Sequence, residues 1–241
     1  LIEKMLALKT NKIINISKSE YESALEYKIA SERKMCVIEN GIDFTKFKNN
    51  DKNREETRKK YNIKDNEILI GVVGRLSEQK DPMTMIRAFE LVQKENKNTK
   101  LIYVGSGELE ESVKQYAKEK EILHKVIITG WVNNVEKYIP AFDIAVLPSK
   151  WEGFGLVLIE YMACEKPIIA SQVGGIKNII RNEQNGFLVE TNNYAMLACK
   201  IIETIKNKSI NKKFINENKK VINKYGIENV IAKHLEIMNN L

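Results

Sequence analysis

Glu152 and Glu160 flank the start of an apolar run in "KWEGFGLVLIEYMACEKPIIAS" (150–171), and Gly153, Phe154 and Gly155 follow the first of them directly. The preceding "DIAVLPS" (143–149) reads as a buried strand, and "GLVLIEYMACE" (155–165) as the helix it hands over to. If that helix begins near Gly155, the backbone N–H groups of Phe154, Gly155 and Leu156 lie unpaired at its tip, and such a tip attracts anions. A carboxylate beside an anion site suits a ligand that also carries hydroxyls, because carboxylates accept hydrogen bonds from sugars. Eight residues of helix span ~12 Å, enough to reach from one sugar ring across a diphosphate to a second. The spacing therefore suits one carboxylate for each ring of a sugar nucleotide. The plainer alternative is an N-terminal carboxylate that favours the helix dipole, with Glu160 on a solvated face.

A second loop tips the balance. "GRLSEQKD" (74–81) places Arg75 and Lys80 at the end of another strand. Two cations facing an anion-tolerant helix tip are what a diphosphate needs, Arg as a planar fork and Lys as a point charge. Each alone reads as a surface cation. Together with the two glutamates and the glycines they point to one site.

The elements that must position these residues alternate. "EILIGVVG" (67–74), "KLIYVGSG" (100–107), "KVIITG" (125–130), "DIAVLPS", "PIIAS" (167–171) and "GFLVE" (186–190) read as six strands. Helical patterns separate them: "DPMTMIRAFELVQKEN" with Asp81 as N-cap and Pro82 at its first position, "ELEESVKQYAKEK", "NVEKYIPAF", the Glu160 helix and "KNIIRN". Two further helices, "YAMLACKIIETIKN" and "KKFINENKKVINKY", close the series. This predicts an α/β fold, a Rossmann-like parallel sheet with helices on both faces. Its ligands bind outside the carboxyl ends of the strands, where the loops at 74–82, 105–110, 130–134, 148–156 and 171–178 form one rim.

Residues 1–45 hold about one βαβ unit, too little for a core of its own. The expected organisation is a remnant of a preceding domain at 1–45, a nucleotide-sugar-binding domain at 46–215, and a C-terminal helix at 216–241 that packs back toward the remnant. Tyr225-Gly226 interrupts the helical pattern ahead of that last helix.

Bulk properties exclude several classes. The 241 residues are 43% hydrophobic, with net charge +7 and three cysteines. No apolar run approaches the ~20 residues that cross a bilayer, and the N-terminus does not read as a signal peptide. Three scattered cysteines argue against a disulfide framework and fit a reducing cytosol. The lysine excess suits a surface drawn to anionic lipid or phosphate. No basic segment is interleaved with aromatics as in a nucleic-acid-binding module. A cytoplasmic protein without nucleic acid is expected, with peripheral contact at the inner face of the membrane left open.

Taken in order, "VIENGIDFTKF", "GVVGRLSEQKDP", "LIYVGSGELEE", "TGWV", "LPSKWEGFGLVLIEYMACEKPIIAS", "VGGI" and "NGFLV" resemble the retaining GT-B glycosyltransferases, in the group that includes bacterial lipopolysaccharide and capsule enzymes. The resemblance covers most of the chain from about residue 10 to 200. It implies transfer of a hexose-type sugar, with retention, from a UDP-, GDP- or ADP-sugar to a glycan or lipid-linked acceptor. Arg75 and Lys80 would hold the diphosphate and stabilise it as it leaves. Glu152, with the backbone of Phe154, Gly155 and Leu156, would bind the transferred sugar, and Glu160 the ribose. Gly74, Gly105 and Gly107 would line the cleft, with Trp131 and Val132 at the base. No cofactor and no metal is expected, since fixed cations and a helix dipole meet the leaving charge.

Two departures stand out. Lys177 and Asn178 occupy the place where the family often has Pro-Glu, which adds a cation near the donor. The family's N-terminal acceptor domain, with its glycine-rich loop and catalytic His or Asp, is almost absent apart from the remnant at 1–45, and His124 and His234 match no such position. The chain alone is therefore expected to bind donor without transferring it. The alternatives are a non-catalytic nucleotide-sugar-binding subunit, a sugar-nucleotide epimerase, and a nicotinamide dehydrogenase. The last is disfavoured because Glu110 replaces the third glycine of G-x-G-x-x-G.

Overall fold

Strands buried on both faces need near-continuous apolar sequence, and each of the six apolar runs forms one. The computed structural model describes residues 2–240. The chain opens with helix α1 (Ile2–Lys9), strand β1 (Ile13–Asn15), helix α2 (Lys18–Glu26) and strand β2 (Met35–Val37). Helix α3 (Asp51–Lys60) leads into β3 (Ile68–Val73), α4 (Pro82–Glu95), β4 (Thr99–Val104), α5 (Glu110–Glu119) and β5 (Val126–Ile128). Then come β6 (Ile144–Leu147), α6 (Leu156–Ala163), β7 (Ile168–Ser171), α7 (Ile176–Ile179) and β8 (Phe187–Val189). Helices α8 (Tyr194–Lys206), α9 (Lys208–Val221) and α10 (Ile227–Asn239) follow.

Strands β3 to β8 form one parallel sheet in the order β5-β4-β3-β6-β7-β8. The chain builds outward from β3 to β5, then crosses to β6 on the other side of β3. That reversal opens a crevice at the carboxyl ends of β3 and β6. Alternate residues of β3 supply the two faces. Leu69 and Val73 join one core cluster, Ile70 and Val72 the other. Met85, Ile86, Phe89 and Val92 of α4 are fully buried on one face, alongside Leu197 and Ile201 of α8. Leu158, Ile159, Tyr161 and Met162 of α6 fill the other. Asp81 caps α4, accepting from the Thr84 N–H at 3.1 Å, with Pro82 at the first helical position.

One expected helix is absent. "NVEKYIPAF" forms two short 3₁₀ turns, Val135–Lys137 and Ile139–Ala141. Pro140 lacks the N–H an α-helix needs and disfavours helical backbone at Ile139. The broken segment instead turns Tyr138, Ile139 and Phe142 into the core.

Helix α3 is almost wholly polar yet docks firmly at the amino ends of the strands. Arg54 reaches Asp143 at 2.7 Å, and Arg58 reaches Asp143 at 3.2 Å and the carbonyls of Lys64 and Glu67 at 2.7 Å each. Asp143 also accepts from the Leu69 N–H at 2.8 Å. Nearby, burial alone would raise the Glu67 carboxyl, but the Lys64 N–H, Lys125 and Lys100 outweigh it and hold it at about 2.

Strands β1 and β2 form a separate parallel pair. The chain leaving β2 runs beside residues 225–227: the Ile42 N–H donates to the Tyr225 carbonyl at 2.9 Å, and the Ile227 N–H to the Ile42 carbonyl at 3.1 Å. Helix α10 meets this segment through Val230, beside Gly41, while Ile227, His234 and Ile237 are half-buried and Ile231, Leu235 and Met238 are exposed. Among the described residues no helix is long and apolar enough to cross a membrane.

Candidate functional site

Two loops meet backbone to backbone at the carboxyl ends of β3 and β4. A Cβ on Gly105 would lie 2.1 Å from the Gly74 carbonyl oxygen, so only glycine allows this approach. The Leu76 N–H donates to the Ser106 carbonyl at 3.0 Å, and the Leu109 N–H to the Leu76 carbonyl at 2.9 Å. These loops, with Trp131, Val132 and Val135, wall a cleft of about 480 Å³ that includes Gly74, Arg75, Gly105 and Gly107. The Trp131 ring is 81% exposed at the rim.

The cleft continues across Val73, Gly74 and Val135 into a second compartment of about 450 Å³, lined by Lys80, Glu152, Phe154, Gly155, Leu156 and Glu160. Gly155 caps α6 in the left-handed region, φ 87°, with no side chain closing the helix tip. The loop before it rests on β7's following turn: a Cβ on Gly174 would lie 2.1 Å from the Glu152 carbonyl oxygen, and the Gly175 N–H donates to that carbonyl at 3.1 Å. Phe154 turns its ring inward against Tyr225, centroids 5.9 Å apart, so that its backbone faces the cleft. Every residue singled out in the sequence for donor binding thus lines one continuous groove.

The charges are arranged unequally. Lys80 Nζ bonds Glu152 Oε1, which also accepts from Ser149 Oγ at 2.9 Å; the Glu152 side chain is 8% exposed and that of Lys80 22%. Arg75 pairs with Glu108 at 3.2 Å, but those side chains are 73% and 52% exposed. The Glu160 carboxylate takes part in no hydrogen bond or ion pair among the described residues. Burial, aided by the nearby Glu136 charge, pushes its carboxyl up to about 7. Next to it the buried Tyr161 hydroxyl accepts from the Val73 N–H at 2.8 Å, fixing the end of β3 to α6.

Other expected groups lie elsewhere. His124 sits in an exposed turn, and His234 bonds the Val230 carbonyl within α10. Lys177 is exposed and does not line the groove, while Asn178 bonds Ser19 Oγ at 3.2 Å. Among the described residues no group of three or more His, Cys, Asp or Glu side chains could hold a metal ion.

The structure also brings in residues that had no role assigned from the sequence. Ile16 and Asn40, from the segment around the small sheet, line the second compartment. Glu20 lies against Gly153, its Oε1 3.0 Å from where a Cβ would stand. Asn40 sits in an Asn-Gly pair that signals only a turn, and Ser149 is one serine among many; neither carries a local signature. Tyr161, which anchors the end of β3, was likewise assigned no role from the sequence.

An open parallel sheet with a glycine-walled, mixed-charge groove at its switch point defines an α/β protein whose ligand cleft lies at the carboxyl ends of its strands. The profile of the family "Glycosyl transferases group 1" matches residues 53–221, and the chain belongs to that family. Over its whole length it is 30% identical to the Staphylococcus aureus capsular polysaccharide biosynthesis glycosyltransferase CapM, 64% of which it covers. Over 93% of its length it is 27% identical to an Escherichia coli UDP-Gal:alpha-D-GlcNAc-diphosphoundecaprenol alpha-1,3-galactosyltransferase, covering 59% of it. The chain thus spans about three fifths of the length of these relatives. The crystal structure of Anabaena Alr3699/HepE in complex with UDP and glucose superposes with TM-score 0.89 over 99% of this chain and 67% of that one, at 20% identity. The architecture is that of the Rossmann-like half of a GT-B glycosyltransferase.

Proposed function

We propose that the chain carries the donor site of a retaining hexosyltransferase that uses a UDP-sugar and acts on a glycan or lipid-linked acceptor in polysaccharide assembly. The observation that carries this reading is the single groove with Arg75 and Lys80 on one wall and the Glu152–Glu160 helix on the other. UDP in the solved relative, and the donor and acceptor named for the galactosyltransferase, support the substrate class.

In this reading the base and ribose occupy the compartment of Gly105, Gly107, Trp131 and Val132, with Glu160 accepting from ribose hydroxyls. The diphosphate lies at Gly74 between Arg75, Lys80 and the N-terminus of α6. The hexose reaches Glu152 and the backbone of Gly155 and Leu156. Transfer breaks the bond between the anomeric carbon and the β-phosphate oxygen. The charge that develops on the diphosphate meets two cations and a helix tip that are already oriented, which is where electrostatic stabilisation is most effective. Retention follows if the acceptor hydroxyl attacks on the face the diphosphate leaves, and no nucleophilic side chain is needed. A divalent metal is not part of this scheme.

The 241 residues alone are expected to bind donor but not to transfer it, because positioning both reactants supplies several kcal/mol of the rate. Calorimetry of the chain with UDP-glucose, UDP-galactose, GDP-mannose and ADP-glucose tests the reading. Micromolar-to-millimolar binding of a UDP-sugar is expected; binding of none of the four overturns it. Incubation with membrane extract should give slow hydrolysis at most, and robust transfer to an acceptor would overturn the restriction to binding.

A further inference from the structure

Lys80 cannot serve a ligand and Glu152 at once. In the free protein its ammonium is bonded to the Glu152 carboxylate, and that carboxylate, 8% exposed, has among the described residues only Ser149 Oγ as its other partner. The second cation of the groove is held differently. Arg75 and Glu108 are both largely in water, so solvent replaces either partner readily. Stripping Lys80 from Glu152 leaves a shielded carboxylate that water reaches poorly, and an uncompensated charge of that kind is strongly unfavourable.

We propose that Glu152 is a specificity-determining residue that competes with the ligand for Lys80, so that the groove favours a nucleoside diphosphate still carrying its sugar over the bare nucleoside diphosphate. This rests on the donor-site reading above. A bare diphosphate draws Lys80 away and offers Glu152 nothing in return. A sugar nucleotide draws Lys80 away and brings hydroxyls that donate to the same carboxylate. Glu152 then exchanges one donor for others. Once the sugar has left, those hydroxyls are gone, Glu152 recovers Lys80, and the product diphosphate is released. The same ion pair thereby links donor preference to product release. Glu108 has no such part, because its partner is already solvated.

The test is calorimetry of the 241-residue chain with UDP and UDP-glucose, wild type against Glu152→Gln, Glu108→Gln, Lys80→Met and Lys80→Met/Glu152→Gln. The amide keeps the shape and the Ser149 contact but gives up the charge. Glu152→Gln is expected to bind UDP about tenfold more tightly, the scale of one charge-assisted contact, while UDP-glucose gains nothing. Glu108→Gln should change UDP affinity less than about twofold, as for an exposed pair. In the Lys80→Met background the Gln substitution should bring no gain. Ser149→Ala gives a second route that leaves the charge in place: Glu152 then leans harder on Lys80, and UDP should bind more weakly. Wild type that binds UDP, with Glu152→Gln binding it no more tightly, overturns this inference alone; so does a gain that persists without Lys80, or tighter UDP binding in Ser149→Ala. Wild type that binds neither ligand overturns the donor-site reading itself.

Discussion

The two ends of the six-stranded sheet use charge in opposite ways. At the amino ends, Asp143 is locked by Arg54, Arg58 and the Leu69 N–H, and Arg58 also donates to two carbonyls at 2.7 Å and, at 3.4 Å, to that of Ala141. Each partner there is fixed and satisfied within the protein. At the carboxyl ends, Lys80 and Glu152 hold each other, Arg75 leans on an exposed Glu108, and Glu160 lacks a partner among the described residues. The first arrangement can only be broken by unfolding. The second can be rewritten by a ligand. One sheet thus separates the ion pairs that keep it folded from those that are free to work.

Removing Arg58 should break this contrast most severely. Arg58→Ala leaves Asp143 and two carbonyls short of a buried partner, and the expected loss is about 3 kcal/mol or more of unfolding free energy. Chemical denaturation measures it, and the surviving folded fraction should bind UDP-glucose as wild type does. Next in size, Lys80→Ala should weaken UDP-glucose by about 1.5–3 kcal/mol in calorimetry and also lower the denaturation midpoint, because it leaves the shielded Glu152 carboxylate without its cation. Arg75→Ala should cost about 1–2 kcal/mol of the same affinity, and Arg75→Lys should recover only part of it because a point charge does not replace a fork.

A smaller effect concerns pH. Glu160 titrates at about 7 in the free protein, and ribose hydroxyls donate to its charged form, so binding must expel a proton below that pH. Affinity for UDP-glucose should therefore fall severalfold from pH 8 to pH 6, and Glu160→Gln should flatten the profile. The stability effect has the opposite sense. The folded state holds this proton above the ordinary carboxylate range, so Glu160 makes the fold less stable as pH rises from about 4.5 to about 7. The smallest change belongs to a solvent-exposed pair away from both ends. Lys94→Ala, which breaks its contact with Glu90 at 2.8 Å, should shift stability by no more than about 0.5 kcal/mol and affinity not at all.

The sheet was legible because its strands are buried on both faces and read as unbroken apolar runs. Amphipathic α4, with Met85, Ile86, Phe89 and Val92 on one face, was equally plain. The polar stretch that forms α3 reads in the sequence as a linker with one helix, since it docks through Arg54 and Arg58 and an arginine's destination is not written in its neighbours. "NVEKYIPAF" misled because its apolar spacing outweighed the one residue, Pro140, that decides the backbone. The site residues were found through glycines and charges at strand ends. Their pairing was not, because Lys80 and Glu152 are far apart in sequence and meet only when β3 and β6 lie side by side. Asn40 and Ile16 escaped for the same reason: they reach the groove from the small sheet, across a distance no local pattern encodes.

The crossing of residues 39–44 with 225–227 has a mechanical meaning. The chain leaving β2 and the chain entering α10 run side by side here, and the Ile42 hydrogen bonds to Tyr225 and Ile227 tie the two together. Tyr225 in turn packs on Phe154, the neighbour of Glu152 on the far side of Gly153, and Ile16, Asn40 and Glu152 line the same compartment. The splice at Ile42 therefore sets how far Asn40 stands from Glu152 across the groove.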